Sequence, residues 1–115
     1  MQVQVTTDNH VEGSDRLSAY VDSVVRDTLG RFGNRVTRVE VHLGDENSHK
    51  SGLDKWCAME ARLAGMPPVT VNAQAGSLDQ AIDGAADKLL KALDRQTGRK
   101  DDHKGRTSMS GDKGL

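Results

Sequence analysis

Four basic residues near the end of the chain are spaced so that one helix would carry them along one side. Lys88, Lys91, Arg95 and Arg99 follow one another at intervals of three, four and four residues, and residues three or four apart lie above one another on a helix. A line of ammonium and guanidinium groups binds a polyanion by releasing its counterions, and geometry rather than base sequence decides the fit. The spacing therefore indicates a phosphate-binding surface.

The same pattern has a plainer interpretation. Asp79, Asp83 and Asp87 precede these bases, and acids early in a helix with bases late in it complement the helix dipole. A solvated, charge-segregated helix with no partner shows this arrangement too. The charges alone therefore leave both interpretations open.

The chain contains no constellation of residues typical of an enzyme. The histidines His10, His42, His49 and His103 are scattered, and none forms a pair at metal-ligand spacing. The single cysteine, Cys57, lies in an apolar stretch, where we expect a buried, inert thiol. We predict no catalytic residue, no metal and no cofactor. A small enzyme that uses Cys57 has less support than either of the binding functions considered below.

Composition limits the class of protein further. A length of 115 residues suits one domain with a modest core, and a net charge of −1 requires that any basic surface be local and opposed by acidic surface elsewhere. No segment is long and apolar enough to span a membrane, the first residues lack a signal-peptide pattern, and one cysteine cannot form an internal disulfide. We predict a monomeric protein of the cytoplasm without a membrane partner.

Two segments have the periodicity of amphipathic helices, and each follows a capping serine. The first begins after Ser14 and is expected to run to about Phe32. The second begins after Ser77, where Gln80 three residues later fits a capping box, and Gly98 is a plausible stop. The predicted apolar faces consist of Leu17, Val21, Val24, Val25 and Leu29, and of Leu78, Ala81, Ile82, Ala85, Leu89 and Leu93.

Four short segments alternate apolar and polar residues and predict strands at 2–6, 36–43, 55–64 and 69–73. The resulting order is β-α-β-β-β-α. Short links favour an antiparallel meander of the last three strands, and the helical crossover makes the first strand parallel to a neighbour. We predict an α+β fold, a two-layer sandwich with both helices on one face of a four-stranded sheet.

The same periodicity sets the domain boundary and the open face. The α/β domain is predicted at 1–97, and the polar residues 98–115 are predicted to form a disordered tail. Trp56 would lie on the sheet face opposite the helices, where we expect it to cover the sheet rather than stack on a base. If the helices lie side by side, Arg16, Arg26 and Arg31 of the first helix could extend the basic line.

Four short segments occur in an order that is found in a known family. They are VEVHL at 39–43, EARLAG at 60–65, AIDG at 81–84 and DKL at 87–89. Together with the order of elements, they resemble the ribosome hibernation-promoting factor family, also called the ribosome-associated inhibitor or sigma-54 modulation protein family. The resemblance covers roughly residues 2–95, and the ordered combination is more specific than any single segment.

The resemblance implies a fold similar to a double-stranded-RNA-binding domain and a function without catalysis. Members bind the small ribosomal subunit in the channel for messenger and transfer RNA and block translation in stationary phase or under stress, largely through basic helix residues on ribosomal RNA phosphates. By position, it implies RNA binding by Lys88, Lys91 and Arg95. The supporting candidates are Arg99, Arg26, Arg31 and Arg16. The chain would be a short form, without the C-terminal dimerisation domain of the long members.

Two hypotheses follow. The leading one is a ribosome hibernation factor whose partner is the small ribosomal subunit and its RNA, and which inhibits translation by occupying the channel. The alternative is a protein-interaction module that regulates a transcription or translation factor without RNA contact. In that case Asp79, Asp83 and Asp87 would form the interaction surface.

Overall fold

The computed structural model describes residues 1–8, 11, 13–46 and 54–105, with side chains up to Gly98. The elements follow the predicted β-α-β-β-β-α order and form the predicted α+β sandwich. They are β1 (Gln2–Thr7), α1 (Asp15–Leu29), a 3-10 segment (Gly30–Arg35), β2 (Val36–Asp45), β3 (Lys55–Leu63), β4 (Val69–Ala75) and α2 (Leu78–Gly105).

The four strands form one sheet in the order β1-β2-β3-β4. β1 lies parallel to β2, as expected for strands joined by a helical crossover. β2, β3 and β4 run antiparallel to their neighbours, and Val41 lies opposite Met59, which lies opposite Val71. The predicted meander and the predicted parallel first strand are both confirmed.

One face of the sheet is apolar and lies beneath the two helices. α1 packs on β1 and β2, while α2 packs on β3 and β4. The strand period of two residues turns alternate side chains to this face, so Val41, Cys57 and Met59 are fully buried. The opposite face is polar apart from Trp56 and Ala58. The other large side chains of β2 and β3 on that face are Arg38, Glu40, His42, Glu60 and Arg62.

Both predicted helix starts are confirmed. The Ser14 hydroxyl accepts a 3.0 Å hydrogen bond from the amide of Leu17, and the Ser77 hydroxyl accepts one of 3.2 Å from the amide of Gln80. Each bond satisfies an amide that has no partner within its own helix. The α-helical part of α1 ends at Leu29, and the predicted run to Phe32 continues as the 3-10 segment.

The predicted stop at Gly98 is wrong, because α2 continues to Gly105. Thr97 is buried, and its hydroxyl donates a 2.8 Å hydrogen bond to the carbonyl of Leu93, one turn earlier. Glycine within a helix costs only about 1 kcal/mol relative to alanine, which does not end a helix whose preceding turn is anchored in the core. Residues 106–115 lie outside the described residues, and the division into domain and tail stays a prediction.

Candidate functional site

Among the described residues, three polar side-chain contacts join α2 to α1 and to the 3-10 segment that follows it, and all of them link residues 63 positions apart in the chain. A constant offset requires that α1 and α2 run parallel and in register. The acids of α2 supply one side of every contact. The three contacts are Arg16 to Asp79 at 3.2 Å, the Tyr20 hydroxyl to Asp83 at 2.7 Å, and Arg31 to Asp94.

The bases of α2 lie on its other flank. With a step of about 100° per residue, Lys88 and Arg95 fall on the side of α2 away from α1, and Lys91 falls between that side and the acids. All three are exposed, and we call them the α2 basic flank. Lys91 also forms an ion pair of 3.1 Å with Asp87, one turn earlier.

The α2 basic flank borders β4, the edge strand of the sheet. Lys88 Nζ donates a 2.9 Å hydrogen bond to the carbonyl oxygen of Asn72 in β4. At Gly84 the helix lies close to β4, since a Cβ there would lie 3.4 Å from the Cβ of Ala73, at the limit of ordinary van der Waals contact. The flank therefore follows the outer edge of the sheet.

The structure does not gather all seven predicted RNA-binding residues into one stripe. It brings Lys88, Lys91 and Arg95 together, whereas the side chain of Arg99 lies outside the described residues. Arg16 and Arg31 lie in the seam between the helices, each paired with an aspartate of α2. Arg26 pairs at 2.9 Å with Asp22 on the flank of α1 that is turned away from α2.

These arginines keep much of their surface in water. The side chains of Arg16, Arg26 and Arg31 are 67%, 49% and 59% exposed. Exposed ion pairs contribute at most about 1 kcal/mol, so the aspartates orient the arginines without removing them from solvent.

An open groove of about 570 Å³ lies between α1 and α2. Val24 and Leu90 provide its apolar part, and Asp27, Asp83 and Asp87 provide its acidic part. The groove therefore repels phosphate, and Asp87, which also pairs with Lys91, lies at the boundary between the groove and the α2 basic flank.

Cys57 is fully buried, as predicted. Burial disfavours the thiolate and raises the pKa of Cys57 to about 12. A thiol in this state is a core side chain rather than a nucleophile. Over the part of the chain that the structure describes, no group of His, Cys, Asp or Glu side chains is placed to hold a metal ion.

Trp56 lies on the open face of the sheet, as predicted, and its indole packs directly over Gly44 of β2. A Cβ at residue 44 would come within 2.4 Å of three indole atoms. Gly44, which pairs with Trp56, and Asp45 are the last two residues of β2. The sequence pattern predicted that this strand would end at residue 43. At the same end of the sheet, Asp45 of β2 forms a 3.0 Å ion pair with Lys55 of β3, and hydrogen bonding to Asp45 raises the pKa of that lysine.

The chain matches one protein-family model. That model is described as "Sigma 54 modulation protein / S30EA ribosomal protein", and it matches residues 3–101. The chain belongs to this family. The resemblance implied by the short segments is thereby confirmed, and a member of the sigma-54 modulation/S30EA family is a ribosome-associated, non-enzymatic factor.

Solved structures agree with the fold of this family member. The Thermus thermophilus Protein Y N-terminal domain is 23% identical with a TM-score of 0.67, over 84% of this chain and 99% of that chain. A ribosomal subunit interface protein from Coxiella burnetii is 16% identical with a TM-score of 0.67, and the match covers 85% of this chain and 99% of that chain. No curated protein matches the chain. None of the described helices combines the length and apolar composition needed to cross a bilayer.

Proposed function

We propose that this protein is a ribosome hibernation factor that inhibits translation by occupying the channel for messenger and transfer RNA on the small subunit. The α2 basic flank lies against ribosomal RNA phosphates, and the folded domain excludes the substrates of translation. The protein acts in the cytoplasm, is a monomer away from the ribosome, and needs no cofactor. Family membership and the implied position of the basic residues support this proposal.

The position of Lys88, Lys91 and Arg95 carries the assignment to RNA. These three exposed bases span about 10 Å along α2, and Lys88 and Arg95 lie on the flank opposite the seam that contains the acids. A chain with a net charge of −1 can therefore still present a locally positive surface to a polyanion. Such a surface binds through phosphate contacts that release counterions.

The arginines of α1 take a secondary part in this proposal. Arg16 and Arg31 can exchange an aspartate for a phosphate at small cost, because their pairs are exposed. Arg26 lies on the far flank of α1, so it cannot reach the same phosphates as the α2 basic flank. We infer that α2 provides most of the affinity.

The alternative, a protein-interaction module, draws less support from the geometry. Asp79 and Asp83 contact Arg16 and Tyr20, and Asp87 contacts Lys91. The charges of Asp79 and Asp87 are thus partly offset within the molecule, and Asp83 accepts a hydrogen bond from a neutral phenol. Capture of partners from lysate with and without RNase separates the hypotheses, because an RNA-dependent partner is lost after RNase and a direct protein partner is retained.

The test is sedimentation with purified ribosomes of two matched double variants. Lys88→Gln with Lys91→Gln removes two positive charges from the α2 basic flank, and Arg16→Gln with Arg26→Gln removes two from α1. We expect the first pair to weaken binding at least about tenfold and to reduce the slope of log affinity against log salt by roughly two. We expect the second pair to sediment nearly as the parent does.

Circular dichroism of both double variants controls for folding. Equal binding by the parent and the folded Lys88→Gln, Lys91→Gln variant would contradict the assigned surface. A loss confined to the α1 variant would move the RNA contact to the first helix. Protection of the small-subunit channel from chemical modification reports the location independently of affinity.

A further inference from the structure

Trp56 is held in a fixed position on the open face of the sheet. Its indole Cε2, Cζ2 and Nε1 atoms pack over Gly44, where a Cβ would lie within 2.2–2.4 Å of them. The glycine therefore lets the ring lie directly on the backbone of β2. Trp56 is only half-buried, so part of the indole remains available to a second planar group.

A groove of about 330 Å³ lies between this ring and β4. This volume is at the small end of the range for ligand sites. Asn72 and Gln74 are exposed beside it, and each amide can both donate and accept hydrogen bonds. Glu46 also lines the groove, and the small side chain of Ala58 leaves it open.

The chemistry of this lining favours a neutral planar ring with polar edges. An aromatic side chain stacks on any nucleobase, and amides pair with base edges. The carboxylate of Glu46 accepts hydrogen bonds only and repels a phosphate. Among the residues that the structure describes, no basic side chain lines the groove, so this lining favours a base over the backbone of RNA.

The groove adjoins the α2 basic flank across a single strand. Lys88 Nζ bonds the carbonyl of Asn72, and the side chain of the same asparagine lines the groove. An RNA strand whose phosphates contact Lys88 and Lys91 can therefore pass around the outer edge of β4. One unpaired base of that strand then reaches Trp56.

The sequence pattern favoured Trp56 as a cover for the sheet, and its packing on Gly44 agrees with that role for one part of the ring. For the part that borders the groove we propose a second role: Trp56, Asn72 and Gln74 form a binding site for one unpaired nucleobase of an RNA strand whose phosphates contact the α2 basic flank. This inference rests on the proposed function in that the partner is RNA. The Glu46 carboxylate can accept from the exocyclic amino group of adenine, whereas the single Watson–Crick N–H of uracil is flanked by two carbonyl oxygens that the carboxylate repels, so adenine is bound more tightly than uracil. The site adds a stacking contact to a surface that otherwise recognises only phosphates.

The intact protein provides its own probe, because Trp56 is its single tryptophan. We would titrate it with oligoadenylate, oligouridylate and an abasic strand, each about ten nucleotides long, a length within the range of single-strand sites. We expect saturable quenching of the tryptophan emission by oligoadenylate, weaker quenching by oligouridylate and none by the abasic strand.

Variants give a second readout by fluorescence anisotropy of labelled oligoadenylate. Trp56→Ala is expected to weaken binding about tenfold, while Trp56→Phe retains most of the affinity because it keeps an aromatic ring. Glu46→Gln is expected to reduce the preference for adenine over uracil, and Asn72→Ala with Gln74→Ala is expected to weaken the binding of both oligonucleotides. Circular dichroism checks that each variant is folded.

Absence of quenching, or equal affinity of the folded Trp56→Ala variant, would overturn the inference. An equal response to both oligonucleotides would remove the role of Glu46. Ribosome sedimentation separates this failure from that of the proposed function. Normal sedimentation without quenching contradicts only the base site, whereas quenching without sedimentation contradicts only the ribosomal role.

Discussion

The Tyr20 hydroxyl donates a 2.7 Å hydrogen bond to a carboxylate oxygen of Asp83, and this bond joins the first half of α1 to the first turns of α2. It lies between two arginine–aspartate pairs at the same chain offset. Only the protonated phenol can donate, so the bond raises the pKa of Tyr20 above its usual value. This contact in the seam therefore depends on a proton, unlike the ion pairs on either side.

Tyr20→Phe is expected to lower the free energy of unfolding at neutral pH, because it leaves the Asp83 carboxylate without this donor. The raised pKa means that the contribution is fully present below the ordinary tyrosine pKa of about 10 and is lost as the pH rises through the folded-state value. Urea unfolding of both proteins from neutral to strongly alkaline pH measures the difference. A gap that stays constant across this range would contradict the role of the phenol proton.

Gly44→Ala is expected to destabilise the fold by about 1–3 kcal/mol, because the new methyl group overlaps the Trp56 indole. The tryptophan emission should shift to longer wavelength as the ring is displaced into water. Gly30→Ala is the matched control, since a Cβ at that position meets nothing within 4 Å. In a Trp56→Leu background the cost at residue 44 should largely vanish, and an undiminished cost would point to strain in the backbone instead.

Gly98→Ala is expected to stabilise the protein by up to about 1 kcal/mol, because residue 98 is helical and a Cβ there meets no neighbour. If the helix ended at this glycine in a left-handed conformation, the same substitution would be destabilising. Thermal unfolding with far-ultraviolet circular dichroism measures both the stability and the helix content. The sign of the change thus tests the length of α2.

Cys57 is expected to resist thiol reagents in the folded protein at pH 8 and to react only after unfolding, because its pKa is raised to about 12 by burial. Its contribution to stability is complete below the ordinary pKa of about 9 and declines by about 1.4 kcal/mol per pH unit between 9 and 12. Cys57→Ala should remove this decline. Rapid labelling under native conditions would show that the core opens locally.

The parts of the fold that the sequence predicted are those governed by local rules. Ser14 and Ser77 were predicted as caps because a capping hydroxyl and its amide lie within three residues of each other. The alternation that buries Cys57 and exposes Trp56 follows from the geometry of one strand. The antiparallel meander of the last three strands followed from the short links, whereas the neighbour of β1 was left open and proved to be β2.

The arrangement of the charges could not be predicted in the same way. Arg16 and Asp79 are far apart in the chain, and their pairing depends on how the crossover sets the two helices in register. Nothing local to α1 indicates that its arginines face the acids of α2. At Gly98 a local signal was misleading instead. The glycine predicted the end of the helix, but the helix continues because Thr97 is anchored in the core.

Lys88 also affects how the sheet can meet another copy of itself. β4 is an edge strand, and exposed edges invite pairing with strands of other molecules. The ammonium of Lys88 bonds the carbonyl of Asn72, so an incoming strand would have to displace a charged group before it could bond there. Pro67 and Pro68, just before β4, withhold two more amide donors. The edge that borders the α2 basic flank is thus protected against amyloid-like growth by one of the side chains that we assign to RNA.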